Sequence, residues 1–461
     1  MDSTENGGIS VFDYSKNSFV NYQYDEYNPN SISGNSVYTL YKDNIGNIWA
    51  ATWSGGINFL PLFGDKFTHY KKSPANSNSL SNNLVLSISN DANNNIWIGT
   101  DGGGLNHFNT VTRYFTNFRK NSSGGNGNYN NYVLTVCPYL PGILVLGFHR
   151  GGIDFFDEKE NSFTHYATQD INTNRLTSLS VFIAYKDRKN NLRLSNDGYG
   201  GIFLFDTKTK AFKTLLPDPK NAKSIASSSV YSIYETRAGQ LWVGGDKGLD
   251  LFDRDKNEFT HHQYDAKNKN TLSDNMVNCI VEDTMANLWL GTSGGLNYFD
   301  LVKNKLTSYT EKEGLPNNTV WAIQQDHHGN LWISTNNGLS NFNPVTKTFK
   351  NYTISDGLQS NTFKIKASCQ AADGEMYFGG VNGFNTFYPD SIKDNNFIPP
   401  VFITGFQVFN KSVGIGGNSP LKQSINEVKE ITLSYKQSVF TIEFAALNFT
   451  NPEQNQYAYK L

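Results

Sequence analysis

The chain has 461 residues, with 41 acidic and 39 basic side chains and a formal net charge of −2. That balance removes the electrostatic argument for nucleic acid or an anionic membrane surface, and no apolar run approaches the roughly 18 residues a spanning helix needs. Charged residues make up 17% and aromatics 14%, so the surface must rest on Asn, Ser, Thr and Gly while the interior can be rich in rings.

The first residues, MDSTENGGISVFD, have neither a basic start nor an apolar core and are not a signal peptide. Gly7-Gly8-Ile9 matches Gly55-Gly56-Ile57 and Gly151-Gly152-Ile153, so the chain is expected to begin inside a repeat. The repeat is clearest at 84–120. An alternating stretch, LVLSISND, leads through the turn ANNN to IWIGTD, a glycine run, LNHFN, a polar turn and YFTNFRK. These are four short strands separated by Asn, Asp and Gly turns. The phrase NIWIGT has weaker copies in NIWAAT, QLWVGG, NLWLGT and NLWIST. Their Trp residues are 49, 97, 242, 289 and 332, and Val145, Arg193 and Tyr377 hold the same place in three further copies. A four-stranded unit at this period is the pattern of β-propeller blades.

Ring closure can be read from two irregular joins. Most blades connect third and fourth strands by a polar turn such as FDRDKNEF, but NFLPLFGDKF at 58–67 is apolar and carries Pro61, which cannot donate to a ladder. Seven Trp-equivalent positions follow it. The last blade has no fourth strand after NTFYPD at 385–390. Because open sheet edges are avoided, KFTHYK at 66–71 is expected to pair with 384–388. An eight-bladed ring starting near residue 36 is the alternative. The expected domains are 1–61, the C-terminal blades of a truncated first propeller, then 62–392, a seven-bladed all-β propeller, and 397–461. In the last, after Pro399-Pro400, the longer stretches VFITGFQVFN, EITLSYKQ and VFTIEFAAL read as strands. The chain is expected to be part of a longer protein.

Catalytic and metal signatures are weak. Cys137, Cys279 and Cys369 fall in first strands of different blades and read as buried small side chains rather than a disulfide framework. His261-His262 and His327-His328 are sequence neighbours, which point to opposite faces when in a strand. The Asp-led turns read as hairpins rather than calcium loops, and the glycine pairs lie between strands rather than opening a helix. No catalytic residue, metal site or cofactor is expected. Binding remains, on the face where loops of successive blades converge. Most second-to-third strand turns are bland, but Trp53, His149, Arg150, Tyr199, Asp246 and Lys247 are not. Aromatic, planar and charged groups of this kind stack on sugar rings and bond hydroxyls or carboxylates. The strand starts Phe182, Tyr231 and Trp321 add to that face.

The repeat, with its Asn-x-x-Trp-Ile-Gly-Thr and Gly-Gly-Leu-Asn phrases, resembles the two-component regulator propeller repeat. The tail ITLSYKQSVFTIEFAALNFTNPEQNQYAYKL resembles the start of the triple-tyrosine β-sandwich, with Tyr457 and Tyr459 in place and Phe449 where the first Tyr often stands. Together they resemble the sensor region of hybrid two-component regulators of gut Bacteroidetes. The resemblance implies two propellers and a sandwich in the periplasm, followed by a membrane helix, a histidine kinase and response-regulator parts. It implies a non-enzymatic sensor stretch that binds an oligosaccharide from glycan breakdown, in a protein that acts as a homodimer. A propeller lyase or hydrolase and a protein-interaction scaffold are the competing readings.

Overall fold

In a computed structural model, the described residues are 2–4, 6–14, 17–26, 31–61, 66–120, 129–166, 180–196, 200–209, 212–393, 398–449, 452, 455, 457 and 458. They fall into two units, one formed by Met1–Gly64 with Lys393–Leu461 and the other by Asp65–Ile392.

The second unit is a seven-bladed propeller. Blades 1 to 6 span 85–118, 133–166, 181–215, 230–262, 277–309 and 320–352, each a four-stranded antiparallel sheet in sequence order from inner to outer strand. Blade 7 takes Phe363–Gln370, Met376–Gly380 and Gly383–Phe387, and its outer strand is Thr68–Tyr70. Tyr70 pairs with Phe384, His69 with Asn385 and Thr68 with Thr386, so the missing fourth strand comes from the start of the unit and the ring has no eighth blade. Phe67, 1% exposed, seals this closure with edge-on rings at 5.2 Å (Tyr352) and 4.9 Å (Phe387). The hairpin depends on Gly383, whose φ is +95°; a Cβ there would strike the Tyr70 carbonyl.

The repeated Trp is a core residue. Trp97, Trp242, Trp289 and Trp332 are buried, whereas Trp49, in the first unit, is half-buried. A second repeated residue explains the spacing. In most repeats an Asp six positions before the Trp closes the hairpin, and in three its carboxylate accepts the indole N–H: Asp43 from Trp49 at 3.1 Å, Asp91 from Trp97 at 2.9 Å, Asp326 from Trp332 at 3.2 Å. Before Trp242 the position is Thr236, and the indole N–H is unpaired among the described residues. Arg193 keeps the bond, its Nε donating to Asp187 at 3.0 Å. Tyr377 turns instead to Glu375 at 2.5 Å, which Arg113 also holds. Cys137 and Cys369 are buried and Cys279 is partly exposed; burial pushes the Cys137 thiol up to about 12.

The first unit holds two three-stranded sheets, one from Asp2–Thr4, Gly8–Asp13 and Ser18–Tyr22, the other from Val37–Lys42, Ile48–Thr52 and Gly56–Leu60. Ile9, Val37 and Ala50 form its small core. A third sheet joins Val401–Val408 to Lys411–Ser412 and to Phe440–Ala446. The stretch 430–437, expected as a strand, is irregular. Among the described residues no strand lies beside it to supply ladder bonds, and a turn forms instead, with Gln437 N–H on the Ser434 carbonyl at 2.8 Å.

Candidate functional site

Inner strands of all seven blades line a central cavity of about 430 Å³. In blades 1 to 6 the inner strand carries a β-bulge at its second residue, shown by register shifts after Val85, Val133, Val181, Val230, Val277 and Val320. The bulged residues are Leu86, Leu134, Phe182, Tyr231, Asn278 and Trp321. A bulge leaves one residue unpaired and re-aims it, so six equivalent side chains ring one end of the channel.

Three of them are aromatic. Phe182 and Tyr231 meet edge-on at 5.9 Å, and Trp321 donates its indole N–H to Asn336 at 2.8 Å. Asn278 bridges to the Val320 carbonyl at 2.9 Å. Blade 7 departs from the pattern. Between partners Gly380 and Phe378 its inner strand runs from Phe363 to Ser368, whereas the same step in blade 1, Thr100 to Ile98, is matched by Val85 to Ile88. The two extra residues bring Lys366 to a left-handed φ of 62°. Its Nζ donates to the Leu134 carbonyl at 2.9 Å and to that of Phe182, 3.4 Å above the Phe182 ring. This cation therefore crosses from blade 7 to blades 2 and 3. Tyr231, Asn278 and Trp321 lie on blades 4 to 6.

The second-to-third strand turns share this end of the ring. Their first N–H groups bond the loops that enter the inner strands, as His149 does with the Tyr132 carbonyl at 3.1 Å and Asp246 with that of Ser229 at 3.0 Å. His149 and Arg150 are exposed; Ser180 Oγ lies 2.9 Å from His149 Nδ1. Lys247 is exposed, but the Asp246 carboxylate is occupied, accepting from Ser228 Oγ at 3.2 Å and Ser229 N–H at 3.1 Å. Tyr199 lies outside the described residues. Trp53 belongs to the first unit, exposed beside Tyr38 at 5.8 Å. Of the residues singled out in the sequence, His149, Arg150, Asp246, Lys247 and Trp321 share one end of one ring.

Asn278 and Lys366 were missed. The signal for Lys366 is in the sequence: FKIKASC is two residues longer than the VLSI-type start of the other inner strands. At the opposite end a second cavity, about 530 Å³, opens between blades 5 and 6 beside Trp289, Tyr298 and Tyr309.

The two-component regulator propeller family model matches residues 31–54, 79–102, 224–247 and 314–337. Each match covers the loop, inner strand and second strand of one repeat. The fold is similar to that of an extracellular domain assigned to a hybrid two-component system, BT3049 of B. thetaiotaomicron. The TM-score is 0.78 and the identity 27%, over 98% of this chain and 58% of that one. The extracellular domain of BT4673 from the same organism shares the fold, with a TM-score of 0.57 and 18% identity over 96% and 58%. A histidine kinase P4 of Formosa agariphila is 45% identical over 87 residues, 19% of this chain and 6% of that protein. The chain thus spans about three fifths of the solved relatives and a small part of the kinase. No helix among the described residues is long and apolar enough to cross a membrane. The chain carries two-component regulator propeller repeats, on the β-propeller fold of a hybrid two-component system's extracellular domain.

Proposed function

We propose that this region is the ligand-sensing part of a hybrid two-component signalling protein, that it works in the periplasm, and that it reads an oligosaccharide. The reading is supported by one observation above others. The ringed end of the propeller presents the partly exposed rings of Tyr231 and Trp321, with exposed His149, Arg150 and Lys247 in turns at the same end. Aromatic faces take the apolar face of a sugar ring, and cations take acidic groups. Binding rather than catalysis is the role. The tail from 397 onward, which we read as the start of a triple-tyrosine sandwich, would carry the signal to a membrane helix and a kinase in a homodimer.

The test is calorimetry against a panel of plant, host and microbial oligosaccharides. With the cognate glycan, Trp321→Ala and Tyr231→Ala should each weaken binding by about 1–3 kcal/mol, the worth of one stacked ring in a well-packed site. Arg150→Ala should cost about 1.5–3 kcal/mol if the sugar is acidic. Unchanged affinity in all three would move the site off this end of the ring.

A further inference from the structure

We propose that His327, His328 and Asp390 form a binding site for a divalent transition-metal ion of the zinc class. The two histidines occupy the DHHGN hairpin between Val320–Gln325 and Leu331–Thr335. In a strand they would face opposite ways, but the turn sets the rings side by side, centroids 3.9 Å apart. That turn is itself anchored. Asp326 accepts the N–H groups of His328 at 3.0 Å and Asn330 at 2.9 Å, and its other oxygen takes the buried Trp332 indole at 3.2 Å. The imidazoles therefore stand on a hairpin pinned to the blade core.

Asp390 arrives from elsewhere in the chain, on the single turn Pro389–Ser391 through which the backbone leaves blade 7. Its Oδ2 lies 3.3 Å from His327 Nε2 and its Oδ1 3.0 Å from His328 Nε2. The donor atoms of all three residues lie within 4.8 Å of one another. Two imidazole nitrogens and one carboxylate oxygen are the donor set of zinc, copper and nickel; calcium and magnesium want oxygen throughout. The side chains are about 60% exposed, so an ion can enter from solvent and keep water in its remaining positions. Bound there, it would tie the exit of the propeller to blade 6.

The experiment titrates Zn²⁺ alone into tag-free, chelator-stripped protein by calorimetry. One equivalent should bind, and His328→Ala and Asp390→Ala should each weaken it at least tenfold. Both residues are at the surface, so circular dichroism should show both variants folded. Zn²⁺ should raise the melting temperature of the parent chain by selective binding to the folded form and leave that of Asp390→Ala unmoved. Co²⁺ in place of Zn²⁺ should give visible bands that the variants lack. No Zn²⁺ binding by the parent chain overturns the proposal. So does parental affinity in either variant, which would place the ion on other histidines among the eight in the chain.

Discussion

Phe67→Ala is expected to loosen the propeller at its seam. The ring is 1% exposed and touches Tyr352 and Phe387 edge-on at 5.2 and 4.9 Å. Truncating a buried phenylalanine costs about 3–5 kcal/mol through lost transfer energy and the cavity left behind. The unit it closes, Asp65–Ile392, has roughly 330 residues. At an unfolding entropy of about 2.1 cal/mol/K per residue, that cost lowers the melting temperature by about 4–7 °C. Phe342→Ala, also buried but within blade 6, should cost a similar amount, so calorimetry alone does not separate the seam from the core. Hydrogen exchange does. Only Phe67→Ala should speed exchange of the amides in Thr68–Tyr70 and its partner Gly383–Phe387. A melting temperature within about 2 °C of the parent, or seam amides no faster than those of Phe342→Ala, would refute the view that Phe67 holds the ring shut.

Arg193→Met should destabilise by about 3–5 kcal/mol in urea unfolding, because the buried Asp187 carboxylate keeps the Lys189 and Asn191 hydrogen bonds but has only Arg254, 3.7 Å away, as a cation among the described residues; a loss under about 1 kcal/mol would mean Arg254 replaces it. The His261–Asp250 pair, 2.6 Å apart, should contribute stability that is lost with rising pH. Burial lowers the His261 value, but the Asp250 hydrogen bond and charge outweigh it and leave it raised, while burial raises Asp250. The folded state then holds protons more tightly than the unfolded one. The imidazole contribution is complete below its ordinary range near about 6.5 and is lost as pH rises through the folded value. Burial lowers His107 and His262, which act in the opposite direction, so the pair is read as a difference: between about pH 6 and about pH 8.5 the parent's urea midpoint should fall relative to that of His261→Gln; an equal slope in both proteins would discard the pair as a source of pH dependence.

The blade count and the closing strand were legible because they rest on coarse signals: a Trp and a glycine pair at a fixed period, and a blade that stops at Pro389 one strand short. The channel end was legible only in part. Phe182, Tyr231 and Trp321 read as strand starts, yet their common feature is the bulge, and a bulge has no residue signature when any side chain can fill it. Lys366 was overlooked because FKIKASC alternates like an ordinary strand; its two extra residues show in its length, and its pairing to Phe378 and Gly380 places them. The failed strand at 430–437 has the opposite cause. Its residues alternate well, but a strand also needs a neighbour, which local pattern does not supply.

A repeat protein offers its own test for which departures matter. Where a repeated bond is rebuilt with other atoms, the change is structural. Arg193 in place of Trp still reaches Asp187, and Tyr377 reaches Glu375. In blade 2 the Asp and the Trp are lost together: the hairpin shrinks to Pro141-Gly142 and Val145 has no carboxylate to serve. These positions carry no functional argument. Lys366 is different, since among the described residues no other inner strand has its surplus residues, its left-handed backbone or a cation spanning the channel. A left-handed non-glycine residue is held at a cost of about 1–3 kcal/mol, and such strain collects where a site is being shaped. By covering the Phe182 side with a fixed cation, Lys366 breaks the sevenfold pattern of the channel end, and Tyr231, Asn278 and Trp321 lie on the blades it does not span. Asymmetry of that kind is what a pseudo-symmetric ring needs in order to hold one ligand in one orientation.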